Sequence, residues 1–524
     1  MENKNTKHDK EHAVWNRRSF LQALGLAGSG SLVAGNLPVY ASAPTALSAA
    51  LSMSESDRVL IIIRLKGGND GLNTVIPKYD YGTYASLRPS LQITDANSFA
   101  LSNEFRMPNY MNSLQSIWND GKMKVVHGVG YPNQNLSHFS SADLWSSAAD
   151  NGNPLQTGVF GRFFEDLYPD YILNPPDIPP AIQIGSLSNL LFSGEDASYA
   201  FSVANPEQLE QIAQSGTAYD VQNLPACDYG AQLGFMRGVT NTTYTYAGVI
   251  NTAYSSAANA ANYADTDIAR QLAIVARLIK GNLGTKIYMV TLDGFDTHAN
   301  QPDSHQQLMT ELTQAVSEFY TDLTAGAMDQ DVLCMTMSEF GRRAAENASS
   351  GTDHGAASTM LLFGEGLNGN GFVGNHPNLS NLDDNGNLQF TTDYRDVYAT
   401  ILEDWLCIDA SIVDQTLLNN YNRANIGTLC NAAGVDAISF ENGLNHYPIY
   451  KENTIFVAFN LEKPMQIKVE LFDVLGRNLG VIHNQRYLSG SYQINLNAQN
   501  KNYRGQYFYR IIAKDKAYSK AVLF

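Results

Sequence analysis

Five short apolar runs constrain the fold of this chain more than any other feature. Their branched side chains occupy consecutive positions, a pattern typical of strands buried on both faces of a parallel sheet. Amphipathic segments lie between them, notably Ile268–Ile279 and Gln306–Leu323, with apolar residues at helical spacing. The alternation predicts an α/β domain with a mostly parallel sheet flanked by helices. The runs are Arg58–Leu65, Met123–Val129, Lys286–Leu292, Val332–Met337 and Thr359–Phe363.

Composition and charge narrow the class of protein. The 524 residues are enough for several domains, and 44% apolar residues with 28 Tyr and 22 Phe exclude a disordered chain. The net charge of −17 argues against nucleic acid or an anionic membrane surface as a partner, and it is compatible with carboxylates that bind divalent cations. The four cysteines are too few for a disulfide scaffold. We expect buried free thiols, with a Cys407–Cys430 bridge as the alternative.

Residues 1–43 have the layout of an export signal. Lysines lead to Arg17-Arg18-Ser19-Phe20-Leu21, an apolar stretch follows as far as Ala34, and Ala41-Ser42-Ala43 forms a small-residue cleavage site. The paired arginines resemble a twin-arginine signal, which implies the twin-arginine translocase as a partner. An ordinary secretory signal is the alternative. No later segment has the roughly 18 apolar residues of a membrane span, so we expect an exported, soluble chain from about Pro44.

The last part of the chain, residues 438–524, predicts a small all-β sandwich of short strands separated by turns. Phe472-Asp473-Val474-Leu475-Gly476-Arg477 and Gly505-Gln506-Tyr507-Phe508 resemble the C-terminal sorting domain of type IX secretion substrates, although Tyr447-Pro448 replaces the usual Asn-Pro pair. The resemblance implies the type IX secretion machinery as a partner and delivery to the cell surface. A carbohydrate-binding sandwich is the alternative. The expected strands are Thr454–Asn460, Met465–Asp473, Tyr492–Leu496, Tyr507–Ala513 and Ala517–Phe524.

Polar residues lie at the strand ends of the expected α/β domain, residues 44–435. Ligands bind beyond the carboxyl ends of strands in such sheets. Asp70 follows the first run in a glycine-rich turn, where a lone aspartate is often structural. Glu339 follows the fourth run with Arg342 behind it, and His354 precedes the fifth run.

Ser137 and His138 follow the second run, at the expected start of a helix. The N–H groups and the dipole of a helix N-terminus favour an anion. Ser137 is therefore either a nucleophile or a simple N-cap, and His138 is either a base or a metal ligand.

The segment after the third run, Asp293-Gly294-Phe295-Asp296-Thr297-His298, is the richest cluster. Two carboxylates and an imidazole in one turn suit a divalent cation such as Zn²⁺, Mg²⁺, Mn²⁺ or Ca²⁺. The alternative is a pair of capping aspartates beside an exposed histidine. Together the strand ends offer enough ligands for a two-metal site. The predicted ligands are Asp70, Asp293, Asp296, His298, Glu339 and His354.

These segments resemble an uncharacterised family of twin-arginine-exported bacterial proteins, domain of unknown function 1501, over most of residues 55–420. That family is similar in turn to the alkaline phosphatase and sulfatase superfamily, which implies a metal-binding aspartate at Asp70 and a nucleophile at Ser137. Phe340 departs from that pattern because a histidine is expected there, so a single-metal or altered site is an alternative. The hallmark segments are Gly67–Thr74, Asn135–Phe139, Asp293–His298, Ser338–Arg342, Thr352–Gly355 and Thr392–Arg395.

Two functions follow from these predictions. The first is an exported metal-dependent hydrolase of phosphate or sulfate esters, in which Ser137 attacks an anionic ester and His138 or Arg342 steadies the charge. The second is a non-catalytic surface protein of the same fold that acts in adhesion or glycan binding. The Phe340 departure is the reason that the second hypothesis stays open. An export-linked chaperone or scaffold is a third hypothesis.

Overall fold

A computed structural model describes residues 58–427 and 446–523, apart from short internal stretches. The chain divides into two compact units, and these two ranges are their described residues. The predicted export signal, residues 1–43, lies outside the described residues. The internal stretches left out are 169–170, 173–174, 186–188, 216–218, 222–223, 225–227, 368, 452–453, 462–463, 474–476, 489, 497–505 and 514–515.

The larger unit is built on a nine-stranded sheet. All five apolar runs form strands of this sheet, as the sequence predicts. The strand order is β8-β2-β7-β6-β1-β5-β3-β4, and β9 pairs with β2. The strands are β1 (Val59–Lys66), β2 (Met123–Gly130), β3 (Ala181–Ile184), β4 (Ala200–Val203), β5 (Ile287–Asp293), β6 (Val332–Met337), β7 (Ser358–Phe363), β8 (Gly371–Val373) and β9 (Thr392–Asp393).

Strand direction decides which loops meet. The central strand β1 pairs in parallel with β5 and β6, and the pairs β3–β4, β3–β5, β2–β8 and β2–β9 are also parallel. In contrast, β7 runs antiparallel to β2 and β6. The amino end of β7 therefore lies at the sheet edge where β1, β2, β5 and β6 have their carboxyl ends. The prediction of a mostly parallel sheet is confirmed, and the antiparallel β7 adds its preceding loop to that edge.

The burial of β1 explains its sequence. Successive side chains point to opposite faces of a sheet. Ile61, Ile62 and Ile63 have no exposed surface, so both faces of β1 are covered. Burial of each such side chain contributes about 1.5–3 kcal/mol of hydrophobic free energy.

Helices separate the strands, and the two predicted amphipathic segments are both helical. The first of them, α8, begins after Thr266, whose side chain accepts a hydrogen bond from the amide of Ala269, and it buries one apolar face. The helices are α1 (Gly71–Thr74), α2 (Tyr81–Leu87), α3 (Gln115–Asn119), α4 (His138–Ser147), α5 (Val159–Leu167), α6 (Leu209–Ser215), α7 (Asp228–Ser256), α8 (Asp267–Lys280), α9 (Gln301–Ala325), α10 (Tyr394–Thr400) and α11 (Ala410–Leu417).

The larger unit also contains two small sheets, which are formed by segments of its loops. Ile76–Pro77, Ser98–Ala100 and Phe105–Pro108 form a three-stranded sheet. Gly341–Arg342 pairs with His354–Gly355 in an antiparallel ribbon. The ribbon joins the loop after β6 to the segment before β7.

The smaller unit consists of two antiparallel sheets, β10-β11-β14 and β13-β12-β15-β16. Its core includes Val457, Ile467, Val469 and Ile511, all fully buried. The five predicted strands are present, and β10 and β13 were not predicted. The strands are β10 (His446–Lys451), β11 (Thr454–Leu461), β12 (Met465–Asp473), β13 (Asn478–Tyr487), β14 (Gly490–Asn495), β15 (Gln506–Ala513) and β16 (Lys516–Leu523).

The cysteines follow the sequence expectation in part. Cys334 is a buried free thiol. Cys407 is disulfide-bonded, which corrects the expectation of a free thiol there, and its partner lies outside the described residues. In the part of the chain that the structure describes, no helix is both long enough and apolar enough to cross a membrane.

Candidate functional site

The candidate site lies at the sheet edge where the loops after β1, β2, β5 and β6 meet the segment before β7. Gly67 in the first loop has a φ of +120°. A Cβ at Gly67 would lie 2.7 Å from the carbonyl carbon of Phe295, so only glycine allows the first loop to approach the third. The close approach sets the position of Asp296.

Asp296 is the centre of the cluster. Its Oδ1 atom lies 3.1 Å from Nε2 of His298 and 3.1 Å from Nε2 of His354, and its Oδ2 atom lies 3.4 Å from Nε2 of His138. Partial burial raises the pKa of Asp296, but the hydrogen bond and the positive charge of Arg342 outweigh that effect and lower the pKa to about 2. Three imidazoles thus surround one ionised carboxylate.

The opposite nitrogens of two of these rings have acceptor partners. Nδ1 of His354 lies 2.8 Å from the carbonyl oxygen of Leu136, which can only accept, so Nδ1 carries the proton. Nδ1 of His298 lies 3.2 Å from Oδ1 of Asp353 and donates to it in the same way. In the neutral rings both Nε2 atoms are therefore unprotonated, and they lie 3.0 Å apart. Burial lowers the pKa of His354, which favours its neutral form.

The third ring is held by Glu339. Nδ1 of His138 lies 3.1 Å from Oε1 of Glu339, which also accepts from the amide of Gly67 at 2.8 Å. Glu339 is buried, and its Oε2 atom has no hydrogen-bond partner among the described residues. Glu339 thus contacts the cluster through His138 rather than through Asp296.

The donor set fits a divalent cation. His138, Asp296 and His354 offer ligand atoms that all lie within 4.8 Å of one another. A tetrahedral zinc with bonds of about 2.0–2.1 Å separates its ligands by about 3.4 Å, close to the 3.1–3.4 Å between the Asp296 oxygens and the three Nε2 atoms. Imidazole nitrogens suit Zn²⁺ and related metals, whereas Mg²⁺ and Ca²⁺ prefer oxygen. Each ring also has the partner on its second nitrogen that is typical of metal-binding histidines.

Phe340, where the sequence analysis expects a histidine, packs against the cluster. Its ring centroid lies 4.9 Å from that of His138 and 4.4 Å from that of His354. The ring is fully buried. Phe340 therefore supports the two imidazoles and offers no ligand atom.

Arg342 is buried, and its guanidinium is surrounded by acceptors. It donates to the carbonyl oxygens of Gly68 at 2.8 Å and Thr352 at 2.9 Å, and to that of Gly67. It also donates to Oδ1 of Asp296 at 2.8 Å. These contacts orient Asp296 and join the loops, and its buried position differs from the role of steadying an ester that the sequence analysis assigns to it.

Asp70 lies in a separate buried network. It caps α1 by accepting from the amides of Leu72 and Asn73, and it pairs with Arg88 at 2.6 Å. Burial raises the pKa of Asp70, but the charge of Arg88 outweighs it and lowers the pKa below its usual range. Its second oxygen also accepts from Gln301. The described contacts of Asp70 are structural and do not include the cluster around Asp296.

Asp293 and Ser137 stand apart from the cluster in different ways. Asp293 is about two-thirds exposed and pairs with Lys66 at 2.5 Å. Ser137 occupies the N-cap position of α4, but its side chain makes no capping hydrogen bond and is exposed. Ser137 immediately precedes the cluster residue His138, and its hydroxyl is not used as a cap.

Asp353 and Gln301 belong to the site but were not predicted. The signal for Asp353 was present, since it precedes His354 in a glycine-flanked segment. Sequence alone does not indicate that its carboxylate lies against His298, 55 residues away. Gln301 is the first residue of α9, and no sequence pattern indicated a role for it.

Fold and site together define an α/β protein with a candidate metal centre at the strand ends of its sheet. Residues 247–417, about a third of the chain, match the model of a family described as "Protein of unknown function (DUF1501)". The match confirms the family resemblance for the segment that carries Asp296, His298, Glu339 and His354.

Several solved structures are similar to the chain at low identity. A protein in the alkaline phosphatase superfamily from Vibrio parahaemolyticus has 9% identity and a TM-score of 0.30, over 90% of this chain and 87% of that chain. The PsFucS1 sulfatase from Pseudoalteromonas sp. has 9% identity and a TM-score of 0.30, over 87% of this chain and 88% of that chain. The lipoteichoic acid synthase LtaP from Listeria monocytogenes has 10% identity and a TM-score of 0.25, over 67% of this chain and 74% of that chain. The comparison with curated proteins found no relative.

Proposed function

We propose that the protein is a metal-dependent hydrolase of phosphate or sulfate esters, in which Asp296, His138, His298 and His354 hold a divalent cation. The observation that carries the proposal is the 3.0 Å separation between Nε2 of His298 and Nε2 of His354. Both rings donate their other nitrogen to an acceptor, so two lone pairs face each other beside a carboxylate. A bound cation removes the repulsion that this arrangement otherwise carries.

The proposed ligand set is smaller than the set predicted from sequence. Asp70 is committed to Arg88, and Asp293 is paired with Lys66 at the surface. Glu339 fixes the ring of His138 instead of binding the cation directly. The proposal is therefore a single-cation site, with imidazole donors that favour Zn²⁺.

Each residue of the proposed site has its own role in the reaction. Ser137 is the nucleophile, because its exposed hydroxyl stands next to His138 at the start of α4. The first turn of this ten-residue helix attracts the anionic ester through its N–H groups and dipole. Asp353 and Glu339 fix two of the rings, and Arg342 orients Asp296. When bound, the cation supplies positive charge that polarises the ester and neutralises developing negative charge.

Two measurements on the purified full chain test this function together. Bound metal is determined by elemental analysis, and hydrolysis is followed with a panel of aryl phosphates and aryl sulfates. Turnover should be lost in Ser137→Ala and His354→Ala and kept in Ser255→Ala, an exposed serine of α7. Metal without turnover of any ester would favour the non-catalytic surface protein. Turnover unchanged by both site substitutions would refute the site assignment.

The proposal extends to the location of the protein. The motifs in residues 1–43 support export by the twin-arginine translocase, and the β-strand tail with its turn motifs supports surface delivery by the type IX secretion machinery. Cell fractionation tests both. Replacement of Arg17 and Arg18 by lysine should retain the protein in the cytoplasm, and removal of residues 438–524 should retain it in the periplasm. A tail-deleted protein that still reached the cell surface would contradict the sorting role.

A further inference from the structure

We infer that Gln301 is a positioning residue for the candidate metal centre, because it ties together the two loops that carry His298 and His354. The inference rests on the proposed cation site. Gln301 is the first residue of α9 and has no exposed surface. Its amide lies between the loop after β5 and the segment before β7, where the two histidines originate.

The carbonyl end of Gln301 joins the two loops through one threonine from each. Oε1 accepts from Oγ1 of Thr297 at 3.1 Å and from Oγ1 of Thr352 at 2.5 Å. Thr297 stands between Asp296 and His298 in the chain, and Thr352 is two residues before His354. The amide of Thr352 also donates to the carbonyl oxygen of Thr297 at 3.1 Å. One oxygen atom therefore sets the spacing of both ligand-bearing segments.

The amino end of Gln301 anchors this junction in the buried ion pair. Nε2 donates to Oδ2 of Asp70, which pairs with Arg88. A carboxylate can only accept, so the NH₂ group must face Asp70 and the oxygen must face the two hydroxyls. Arg88 in turn donates to the carbonyl oxygens of Arg343 and Ala344 at 2.9 and 2.8 Å. The junction is thus attached to the loop after β6 as well.

Glutamine is suited to this position because it presents an acceptor and a donor on opposite sides of one planar group. An apolar side chain of similar length would leave the two hydroxyls and one oxygen of Asp70 without this partner. The two Nε2 atoms of His298 and His354 are 3.0 Å apart, so a small shift of either loop changes the geometry offered to a cation. Groups beyond the direct ligands typically affect metal affinity by about 10–100-fold.

The test measures Co²⁺ binding by the metal-free full chain in wild type, in Gln301→Met and in Gln307→Met. Gln307 is an exposed glutamine of the same helix and is the matched control. We expect the dissociation constant for Co²⁺ to rise about tenfold or more in Gln301→Met. The visible absorption of bound Co²⁺, which reports ligand geometry, should also change. Gln307→Met should match wild type in both readouts.

Two milder substitutions cover the case in which Gln301→Met does not fold. Thr297→Val and Thr352→Val each remove one hydroxyl that reaches Gln301, and each should weaken Co²⁺ binding by about fivefold. A folded Gln301→Met with wild-type affinity and spectrum would overturn the positioning role, as would wild-type behaviour of both threonine variants. A wild-type chain that binds no Co²⁺ would instead overturn the proposed cation site, and the positioning role with it.

Discussion

The Nε2 atoms of His298 and His354 lie 3.0 Å apart, and both are 3.1 Å from Oδ1 of Asp296. These two histidines are 56 residues apart in the chain and reach each other because β7 is antiparallel to its neighbours. Their second nitrogens are engaged by Asp353 and by the carbonyl oxygen of Leu136. Two unprotonated nitrogens this close repel each other, and this repulsion is the basis of the proposed cation site.

Replacing Asp353 should weaken cation binding without removing a ligand. Its carboxylate holds the proton on Nδ1 of His298 and thereby keeps Nε2 available. We expect Asp353→Ala to raise the dissociation constant for Zn²⁺ by about 10–100-fold in a calorimetric titration. The control is Asp384→Ala, an exposed aspartate of another loop, which should bind as wild type does. Equal affinities in the two variants would contradict the orienting role.

Substitution by asparagine should destabilise the protein much more at Asp70 than at Asp293. Asp70→Asn leaves Arg88 as an unpaired charge in a buried environment, so the free energy of unfolding should fall by about 3–5 kcal/mol. Asp293→Asn breaks an exposed pair with Lys66 and should cost about 0–1 kcal/mol. Urea unfolding of both variants checks the difference. Similar small losses of stability in the two variants would speak against a structural role for Asp70.

Phe340 should be required for stability as well as for ring position. Its fully buried ring packs on His138 and His354, so Phe340→Ala should lower the free energy of unfolding by about 3–5 kcal/mol. Phe139, 85% exposed and at the start of α4, supplies the control. Phe139→Ala should change stability by no more than about 0.5 kcal/mol. Comparable losses in thermal or urea unfolding of the two variants would refute this account of Phe340.

The buried His127 and the partly buried His376 should lower the free energy of unfolding at low pH. Burial lowers the pKa of His127 to about 3 and that of His376 to about 4. Both ring nitrogens of His127 lack a hydrogen-bond partner within the described residues, and its ring stacks on Phe372. In the unfolded chain these imidazoles become protonated near pH 6.5, but in the folded chain they stay neutral to a lower pH. Protonation therefore favours unfolding, and the free energy of unfolding falls as the pH drops from about 6.5 towards 3.

Urea unfolding of the metal-free chain at pH 8 and pH 5 measures this effect. His127 alone should contribute about 2 kcal/mol to the difference between the two pH values. In His127→Phe this contribution is absent, and the substituted ring keeps the aromatic contacts. An unchanged pH dependence in His127→Phe would contradict the assignment of His127 as a neutral buried histidine.

Much of the fold was predictable because its central strands are buried on both faces. The runs around Ile61, Val125, Val290 and Leu361 are continuous in apolar residues, and each is a strand of the sheet. In the smaller unit, β10 contains Pro448 and β13 contains several polar residues, so neither carries the alternating apolar pattern that predicted its neighbours.

The site was predictable in its location but only partly in its membership. Carboxylates and imidazoles at strand ends pointed to one edge of the sheet, and Asp296, His298, His354 and His138 do converge there. In the sequence Asp70 resembles Asp296, because each follows an apolar run in a segment that contains glycine. What separates them is their partners: Asp70 pairs with Arg88, 18 residues along the chain, whereas Asp296 contacts the distant His138 and His354. Partners of that kind are set by tertiary packing rather than by local sequence.

The most direct test of the account is the metal stoichiometry of the purified full chain. Elemental analysis after dialysis, together with Zn²⁺ titration of the metal-free chain, should give one tightly bound cation per chain in wild type. His354→Ala should lose it, since it removes a nitrogen that lies 3.1 Å from Oδ1 of Asp296. A wild-type chain without bound metal and without Zn²⁺ affinity, or a His354→Ala variant that binds as wild type does, would contradict the account.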